Sequence, residues 1–331
     1  MGEVIFSGVQ PTGDLHIGNY FGAIKQFVAL QGNDNECLYC VVDLHALTLK
    51  HDPAVLEKQT IEIAAAYLAA GVDGAKSAVF AQSTVPQHTE AAWFLNCVAR
   101  MGWLERMTQF KDKGGDNQER ASVGLFTYPI LMAADILLYQ ATRVPVGADQ
   151  KQHLELARDI ALKFNREFKA DLAIPAAMST HAARIMSLTN ADNKMSKSDP
   201  DPNTRINLSD SNDVIAKKIR KATADTLPFP EDLMGDIKPE VSNLITIFQE
   251  CTQASDETIV REFGGKGYGV FKPALTEALI AEIGPVRDRM AQLLDDQEHL
   301  RAILRTGANS ASVYAENGAR YMREKLGLIR L

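Results

Sequence analysis

Two short segments of the chain combine residue types that bind phosphate. The first, PTGDLHIGNY, runs from Pro11 to Tyr20 and places Gly13 and Gly18 around the start of a predicted helix. Glycine lets backbone approach a ligand closely, and a helix N-terminus offers unpaired N–H groups. Because His16 and Asn19 are three residues apart, both can donate to phosphate oxygens from one helical turn. The segment predicts an anion site; a glycine turn with a hydrogen-bonded surface histidine is the alternative.

The second segment, KMSKS at residues 194–198, places two lysines among small neighbours. Lys194 and Lys197 lie in a Ser/Asp/Pro-rich stretch that predicts a loop. Such a loop can fold over a polyphosphate, and mobile ammonium groups suit charge that shifts during a reaction. A solvated basic loop is the alternative. The other members of the segment are Met195, Ser196 and Ser198.

A third segment, VGADQ at residues 146–150, follows a predicted strand. In an open parallel sheet, ligands bind beyond the carboxyl ends of the strands. Gly147 and Ala148 permit close backbone approach, whereas Asp149 and Gln150 are suitable partners for hydroxyl and amine groups. A role of Asp149 as a helix N-cap alone is the alternative.

Strands and helices alternate in the first half of the chain, which predicts a Rossmann-like parallel α/β sheet. The predicted strands are Val4–Gly8, Cys37–Val42, Ser77–Ala81 and Arg143–Val146. Helices are predicted from about Ile17, from Asp52 and Pro53 to Gly71, and from Gln150 to Phe164.

Two further regions complete the predicted organisation. The stretch from about Gln87 to Tyr139 is longer than a crossover needs, so we interpret it as a helical insertion in a sheet domain of residues 1–198. It carries Trp93 and Trp103 and is the candidate dimer interface; a second core layer is the alternative. Residues 199–331 predict an all-helical C-terminal domain, whose last helix could pack back on the first domain.

Composition limits the possible functions of the 331-residue chain. Its formal net charge of −7 excludes a general polyanion-coating protein and leaves a local RNA-binding face possible; we predict no DNA partner. No apolar run is long enough to span a membrane, and the N-terminus lacks a secretory signal, so we expect a cytoplasmic protein.

Four cysteines make no disulfide framework in a chain of this length. Cys37 and Cys40 suit a core strand, and no metal site is predicted.

Two of these segments resemble the signatures of a known family. HIGN at residues 16–19 and KMSKS at 194–198 resemble the two signatures of class I aminoacyl-tRNA synthetases. GADQKQHLELARDIA and LMAADILLYQ resemble the bacterial type of the tryptophanyl branch. The similarity runs from Ile5 to about Lys221 and resumes at Gly265–Lys272. Asn19 in place of a histidine is usual for the branch, whereas Ala148 stands where glutamate is common.

This resemblance implies ATP-dependent activation of L-tryptophan and its transfer to tRNA(Trp) by a homodimer, with Mg²⁺ on the phosphates. Lys194, Lys197 and His16 would be catalytic. The implied ATP-binding residues are Gln10, Pro11, Thr12, Gly18, Asn19, Gly147, Ala148, Asp149, Ile185 and the KMSKS residues, with Lys111 and Lys113 as further candidates. The helical domain would bind the anticodon. Basic residues available to tRNA are Lys217, Lys218, Arg220, Lys221, Arg301, Arg305, Arg320, Arg323 and Lys325.

Choice of the amino acid is expected to depend on Asp135, which the resemblance places at the substrate. A carboxylate among apolar neighbours needs a partner, and an indole N–H is only a donor. The other implied tryptophan-binding residues are Phe6, Tyr128, Met132, Val144, Val146, Gln150 and His45. Alternatively Asp135 pairs with a protein base or faces water, and His45 caps an element.

Three other functions remain open from sequence. A tyrosine-specific synthetase of the same class is the closest, because a phenol could also donate to Asp135. A small nucleotidyltransferase would share the sheet but would not need the helical domain. An inactive paralogue that only binds RNA or nucleotide would be expected to have lost the lysines or the glycine turn.

Overall fold

The computed structural model describes residues 2–32, 34–108, 122–147, 150–178, 183–197 and 199–329. The chain forms two compact units. The first contains the described parts of residues 1–12, 27–180 and 296–331, and the second those of residues 13–26 and 181–295. Among the described helices, none is long and apolar enough to cross a membrane.

The first unit is built on a parallel sheet, which in the described chain has five strands. They are β1 (Val4–Val9), β2 (Glu36–Val41), β3 (Ser77–Ala81), β4 (Arg143–Pro145) and β5 (Ala176–Met178). Their order is β3-β2-β1-β4-β5, and every pair is parallel. The chain leaves β1 towards β2 on one side and returns to β4 on the other, so the strand order reverses at β1. This confirms the predicted Rossmann-like α/β class and its first four strands; β5 was not predicted.

The described α-helices of both units can be given in chain order. They are α1 (Ile17–Asn19), α2 (Lys25–Leu30), α3 (Asp43–Ala46), α4 (Pro53–Ala69), α5 (Gln87–Val98), α6 (Met101–Leu104), α7 (Val123–Leu137), α8 (Lys151–Phe168), α9 (Asn212–Lys221), α10 (Pro239–Thr252), α11 (Asp256–Phe263), α12 (Tyr268–Asp295) and α13 (Gln297–Leu326). A π-helix spans Tyr20–Ile24, and short 3₁₀ turns span Gln82–Thr84 and Pro202–Thr204.

Local capping explains why α4 begins where the sequence predicts. The Asp52 carboxylate accepts a hydrogen bond of 3.0 Å from the Ala54 N–H, and Pro53 occupies the first helical position. Proline has no N–H to leave unpaired there, and its φ already suits a helix. Both signals act within three residues, so the sequence alone defines this helix start.

Helices α5, α6 and α7 form the described part of the predicted insertion. Their buried residues belong to the same core as the sheet, so the insertion is also a core layer. Trp103 packs partly buried against that core, whereas Trp93 on α5 is 69% exposed. The outer face of the insertion therefore carries Trp93 and not both tryptophans.

The last helix, α13, packs on the sheet of the first unit. A Cβ on Gly307 would lie 2.0 Å from the Val79 carbonyl oxygen, and one on Gly318 would lie 1.9 Å from that of Leu138. Only glycine permits such close backbone contact. Helix α13 therefore belongs to the first unit, with the sheet. Residues 13–26 and 183–197 belong to the second unit, so the two units do not divide the chain at residue 198.

The second unit has an aromatic core of its own. Phe229 lies against Phe271 with ring centroids 4.7 Å apart, and Phe248 and Phe263 complete the cluster. This core is formed by helices α10 to α12 and the loop before them, which agrees with the helical pattern predicted after residue 199.

Candidate active site

The glycine turn and the KMSKS segment meet within the second unit. Gly13 adopts a φ of +65°, a left-handed conformation that glycine adopts without strain. A Cβ at Gly13 would lie only 3.1 Å from the Lys197 Cβ. The two motifs, distant in sequence, are therefore in direct contact.

His16 is fixed at the N-cap of α1. Its Nδ1 accepts a hydrogen bond of 3.1 Å from the Gly18 N–H, and the Asn19 side chain accepts one of 3.2 Å from the His16 N–H. Burial, followed by the positive charge of Lys197, lowers the pKa of His16 to about 3. The ring is thus neutral at pH 7, and with Nδ1 as acceptor its Nε2 carries the proton and can donate to a phosphate oxygen.

The KMSKS segment is anchored through its apolar member. Met195 is buried, and its N–H donates to the Ile185 carbonyl oxygen at 3.1 Å. Lys194 pairs with Met186 in a short antiparallel bridge and is exposed. Burial lowers the pKa of Lys197 to about 8, with the Asp14 carboxylate acting in the opposite direction. Ser196 is half-buried, and Ser198 lies outside the described residues.

The predicted nucleotide residues of the first unit follow adjacent strands. Gln10, Pro11 and Thr12 come directly after β1, where the Thr12 N–H donates to the Gln10 carbonyl oxygen at 2.9 Å. Gly147 follows β4, the strand beside β1 where the strand order reverses. Such a reversal opens a crevice at the carboxyl ends of the strands. The predicted contacts of Ala148, Asp149, Lys111 and Lys113 lie outside the described residues.

Asp135 on α7 lies at the centre of a buried polar cluster in the first unit. Its Oδ1 accepts hydrogen bonds from Gln82 Nε2 at 2.6 Å and from His88 Nδ1 at 2.7 Å. Its Oδ2 lies 2.9 Å from His45 Nε2. Burial alone would raise the pKa of Asp135, but the hydrogen bonds from His45 and His88 more than offset burial and lower it to about 2. Asp135 is therefore paired with protein bases, which was the alternative considered for it. His45 is one of these bases, so its side chain does more than cap an element.

Three members of this cluster were not identified from sequence. Gln82 and His88 are completely buried, and His88 Nε2 lies 2.8 Å from the Tyr139 hydroxyl. The two ring nitrogens of His88 thus join the Asp135 carboxylate to the Tyr139 hydroxyl. The sequence could have indicated them, because Gln82 and then His88 follow β3, at the carboxyl edge of the sheet.

Aromatic rings flank the cluster on two sides. Phe6 lies with its ring centroid 6.3 Å from that of His88, and Tyr128 lies 6.1 Å from that of His45. Phe6 belongs to the same hydrophobic core as three other predicted wall residues, Met132, Val144 and Val146. Gln150 is half-buried just before α8.

Several side chains considered for tRNA are engaged within the protein. Lys218 is buried and forms an ion pair of 2.6 Å with Asp210, and Arg323 pairs with Glu90 and Glu316. Their charge is therefore neutralised locally. Lys217, Arg220 and Lys221 on α9 are exposed.

The cysteines behave as core and surface thiols. Cys37 and Cys40 are free and buried in β2, and burial raises the pKa of both thiols. In the described part of the chain, no three His, Cys, Asp or Glu side chains are grouped so that they could hold a metal ion.

A parallel sheet with a strand-order reversal, together with a glycine turn before HIGN that contacts KMSKS, defines a class I aminoacyl-tRNA synthetase. A family model described as tRNA synthetases class I (W and Y) matches residues 3–283. The chain belongs to this family.

Relatives cover the chain from end to end. A tryptophan–tRNA ligase of Agrobacterium fabrum is 49% identical over 99% of this chain and 98% of its own. One of Caldanaerobacter subterraneus is 50% identical over 98% of each chain. The crystal structure of tryptophanyl-tRNA synthetase from Mycoplasma pneumoniae is 33% identical, with a TM-score of 0.91 over 99% of both chains. That from Campylobacter jejuni, complexed with ADP and tryptophan, is 37% identical, with a TM-score of 0.80 over 98% of this chain and all of its own.

Proposed function

We propose that the protein is an enzyme that activates L-tryptophan with ATP to tryptophanyl-adenylate and transfers the amino acid to tRNA(Trp). One observation carries this proposal: the glycine turn that leads into HIGN contacts KMSKS, in a chain whose full-length relatives are tryptophan–tRNA ligases. The same observation disfavours an inactive paralogue, because both phosphate-binding motifs are present.

Activation requires positioning and charge stabilisation, with little covalent help from the protein. An oxygen of the tryptophan carboxylate attacks the α-phosphorus, the bond from that phosphorus to the bridging oxygen breaks, and its electron pair leaves with pyrophosphate. Lys194 and Lys197 stabilise the negative charge that develops there. His16 donates from Nε2 to a phosphate oxygen. A hydroxyl of the terminal tRNA adenosine then attacks the acyl carbon, and AMP leaves.

The remaining predicted nucleotide contacts belong to the same proposal. The family resemblance assigns Gly18, Asn19 and the backbone of Ile185 to the nucleotide, together with residues 10–12 and 147–149. Mg²⁺ enters as part of the MgATP substrate, since this cation keeps several waters and binds mainly to phosphates.

Tryptophan is selected by Asp135 in this proposal. Among the described residues, Oδ1 has two protein donors and Oδ2 has one, His45, so one lone pair of Oδ2 remains for an indole N–H. The low pKa keeps the carboxylate ionised and therefore an acceptor only. Phe6 and Tyr128 supply aromatic surface beside it. Tyrosine is the rival substrate, but the full-length relatives at 49% and 50% identity are tryptophan–tRNA ligases.

Recognition of the tRNA anticodon is assigned to the helical residues after 199. Exposed Lys217, Arg220 and Lys221 on α9 supply local positive charge for phosphates. We place the protein in the cytoplasm, where its four free cysteines would stay reduced, with no DNA or membrane partner.

Pyrophosphate exchange with each amino acid tests the proposed function. Tryptophan is expected to support exchange with a kcat/KM at least about 100-fold above that of tyrosine, because a site built for one hydrogen-bonding group rejects a mismatched one strongly. Charging of tRNA(Trp), followed by acid-gel separation, tests the second step. Comparable exchange with tyrosine, or adenylate formation without charging, would contradict the assignment.

A homodimer is also part of the proposal, and the outer face of the insertion is its candidate interface. A groove of about 300 Å³ there is lined by Leu44, Leu47, Thr48, Thr89, Ala92, Trp93, Asn96, Gly124, Thr127, Tyr128 and Leu131. Trp93 and Val123 are 69% and 77% exposed beside it. Large exposed apolar surface on a soluble domain marks an interaction site.

Trp93→Glu is expected to convert the dimer to a monomer. Burying an unpaired carboxylate in an apolar interface is strongly unfavourable. Light scattering coupled to size exclusion at about 10 μM, above the Kd of a typical stable dimer, measures the change. Val313→Glu, at an exposed apolar residue that lines a different groove, is the matched control. A wild-type monomer, or a Trp93→Glu protein that remains dimeric, would place the interface elsewhere.

A further inference from the structure

A short extended segment after the KMSKS loop runs antiparallel to the HIGN segment. The Ile17 N–H donates to the Ile206 carbonyl oxygen at 2.9 Å, and the Leu208 N–H donates to that of Leu15 at 2.8 Å. His16 is therefore directly opposite Asn207. Both belong to the second unit. These backbone bonds hold the segment beside His16, which the proposed function assigns to the phosphates.

The register places Arg205 on the same side as His16. Residues directly opposite each other on paired strands point to the same face, and so do residues two apart on one strand. Arg205 is two residues before Asn207 and has extended backbone, with φ −140° and ψ 157°. It is thus the diagonal neighbour of His16, within reach of a long side chain.

The guanidinium of Arg205 has an unused donor. One terminal nitrogen, Nη1, donates to the Asp199 carbonyl oxygen at 2.8 Å, which fixes the side chain. Its Nε is buried without a hydrogen-bond partner, and no carboxylate of the described residues forms an ion pair with it. Native proteins seldom leave such groups unpaired unless a ligand or water completes them.

The charge of Arg205 acts on His16. After burial, the positive charges of Lys197, Arg205 and Lys194 lower the pKa of that ring. Arg205 thus contributes to the same positive field as the two KMSKS lysines. A fixed guanidinium differs from a mobile ammonium group, because its planar donors match the oxygens of a phosphate group pairwise.

We propose that Arg205 is a third cationic ligand of the pyrophosphate portion of ATP, in addition to Lys194 and Lys197. The inference rests on the proposed function and adds a residue seven positions beyond the KMSKS motif. In adenylate formation the bond between the α-phosphorus and the bridging oxygen breaks, and Arg205 binds the pyrophosphate that takes up the electron pair. In the reverse direction it holds pyrophosphate for attack on the adenylate.

Calorimetric titration of magnesium pyrophosphate and the exchange kinetics test this role. Arg205→Ala is expected to weaken pyrophosphate binding, and to raise KM for pyrophosphate and ATP, about tenfold or more, because hydrogen bonds to charged groups are the strong ones. KM for tryptophan should stay within about twofold, since the residue acts on phosphate alone. Arg205→Lys, which keeps the charge and loses the planar fork, should give an intermediate loss. Arg261→Ala, at an exposed arginine of α11 in the same unit, is the matched control.

Unchanged pyrophosphate affinity in a folded Arg205→Ala protein would overturn the proposal, and so would equal losses in KM for tryptophan and for ATP. If Arg205→Ala does not fold, as judged by circular dichroism, Arg205→Gln decides by the same two measurements. Failure of the proposed function is distinguishable: wild-type protein would then give no tryptophan-dependent exchange, while its pyrophosphate binding would still depend on Arg205.

Discussion

Asp135→Asn is expected to lower kcat/KM for tryptophan activation about 100-fold, which corresponds to one lost hydrogen bond to a buried charge. An amide has one acceptor oxygen, which would face the two donors Gln82 and His88. Its NH₂ group would then occupy the Oδ2 position. His45 could adapt by exchanging its tautomer, but the indole N–H would meet a second donor and lose its acceptor.

The same substitution should reduce discrimination against phenylalanine, which has no ring N–H to lose. The ratio of kcat/KM values for tryptophan and phenylalanine in pyrophosphate exchange measures this. Asp52→Asn is a matched control, because it removes a carboxylate from the same unit while asparagine caps a helix equally well. An Asp135→Asn protein that is folded and retains wild-type kcat/KM and selectivity would remove Asp135 from the proposed role.

Lys197→Ala is expected to slow tryptophanyl-adenylate formation about 100-fold to 1000-fold, with little change in KM for tryptophan. Removing one preorganised group that stabilises developing charge costs this much in other enzymes. Single-turnover formation of the adenylate, followed by quenched flow, measures the step directly. Lys58→Ala, at a lysine with a side chain 75% exposed, is the control.

The pH dependence gives a second, independent measure of Lys197. Burial disfavours its charged form, so in the free protein the ammonium is lost as pH rises through about 8. Since bound polyphosphate favours the charged form, kcat/KM for ATP should fall above pH 8. An arginine stays charged, so Lys197→Arg should lack this limb. A wild-type profile that stays flat to pH 10 would contradict the assignment.

Local signals in the sequence were sufficient for several elements. Asp52 and Pro53 define the start of α4, because capping acts within a few residues. Apolar runs identified β1 to β3, because the consecutive residues of these strands are buried on both faces of the sheet. In contrast, β5 is three residues, AAM, and carries too little pattern to be recognised. The roles of the predicted site residues stay predictions until the variants above are measured.

The sequence by itself determined the class of fold and the two motifs HIGN and KMSKS, because glycine turns, lysines and apolar periodicity are properties of neighbouring residues. Only the tertiary structure decided which groups meet across long separations. It joined Gln82 and His88 to Asp135, placed Asn207 opposite His16, and packed α13 on the sheet through Gly307. A contact between residues far apart in the chain depends on how whole elements pack, and no single segment of sequence contains that information.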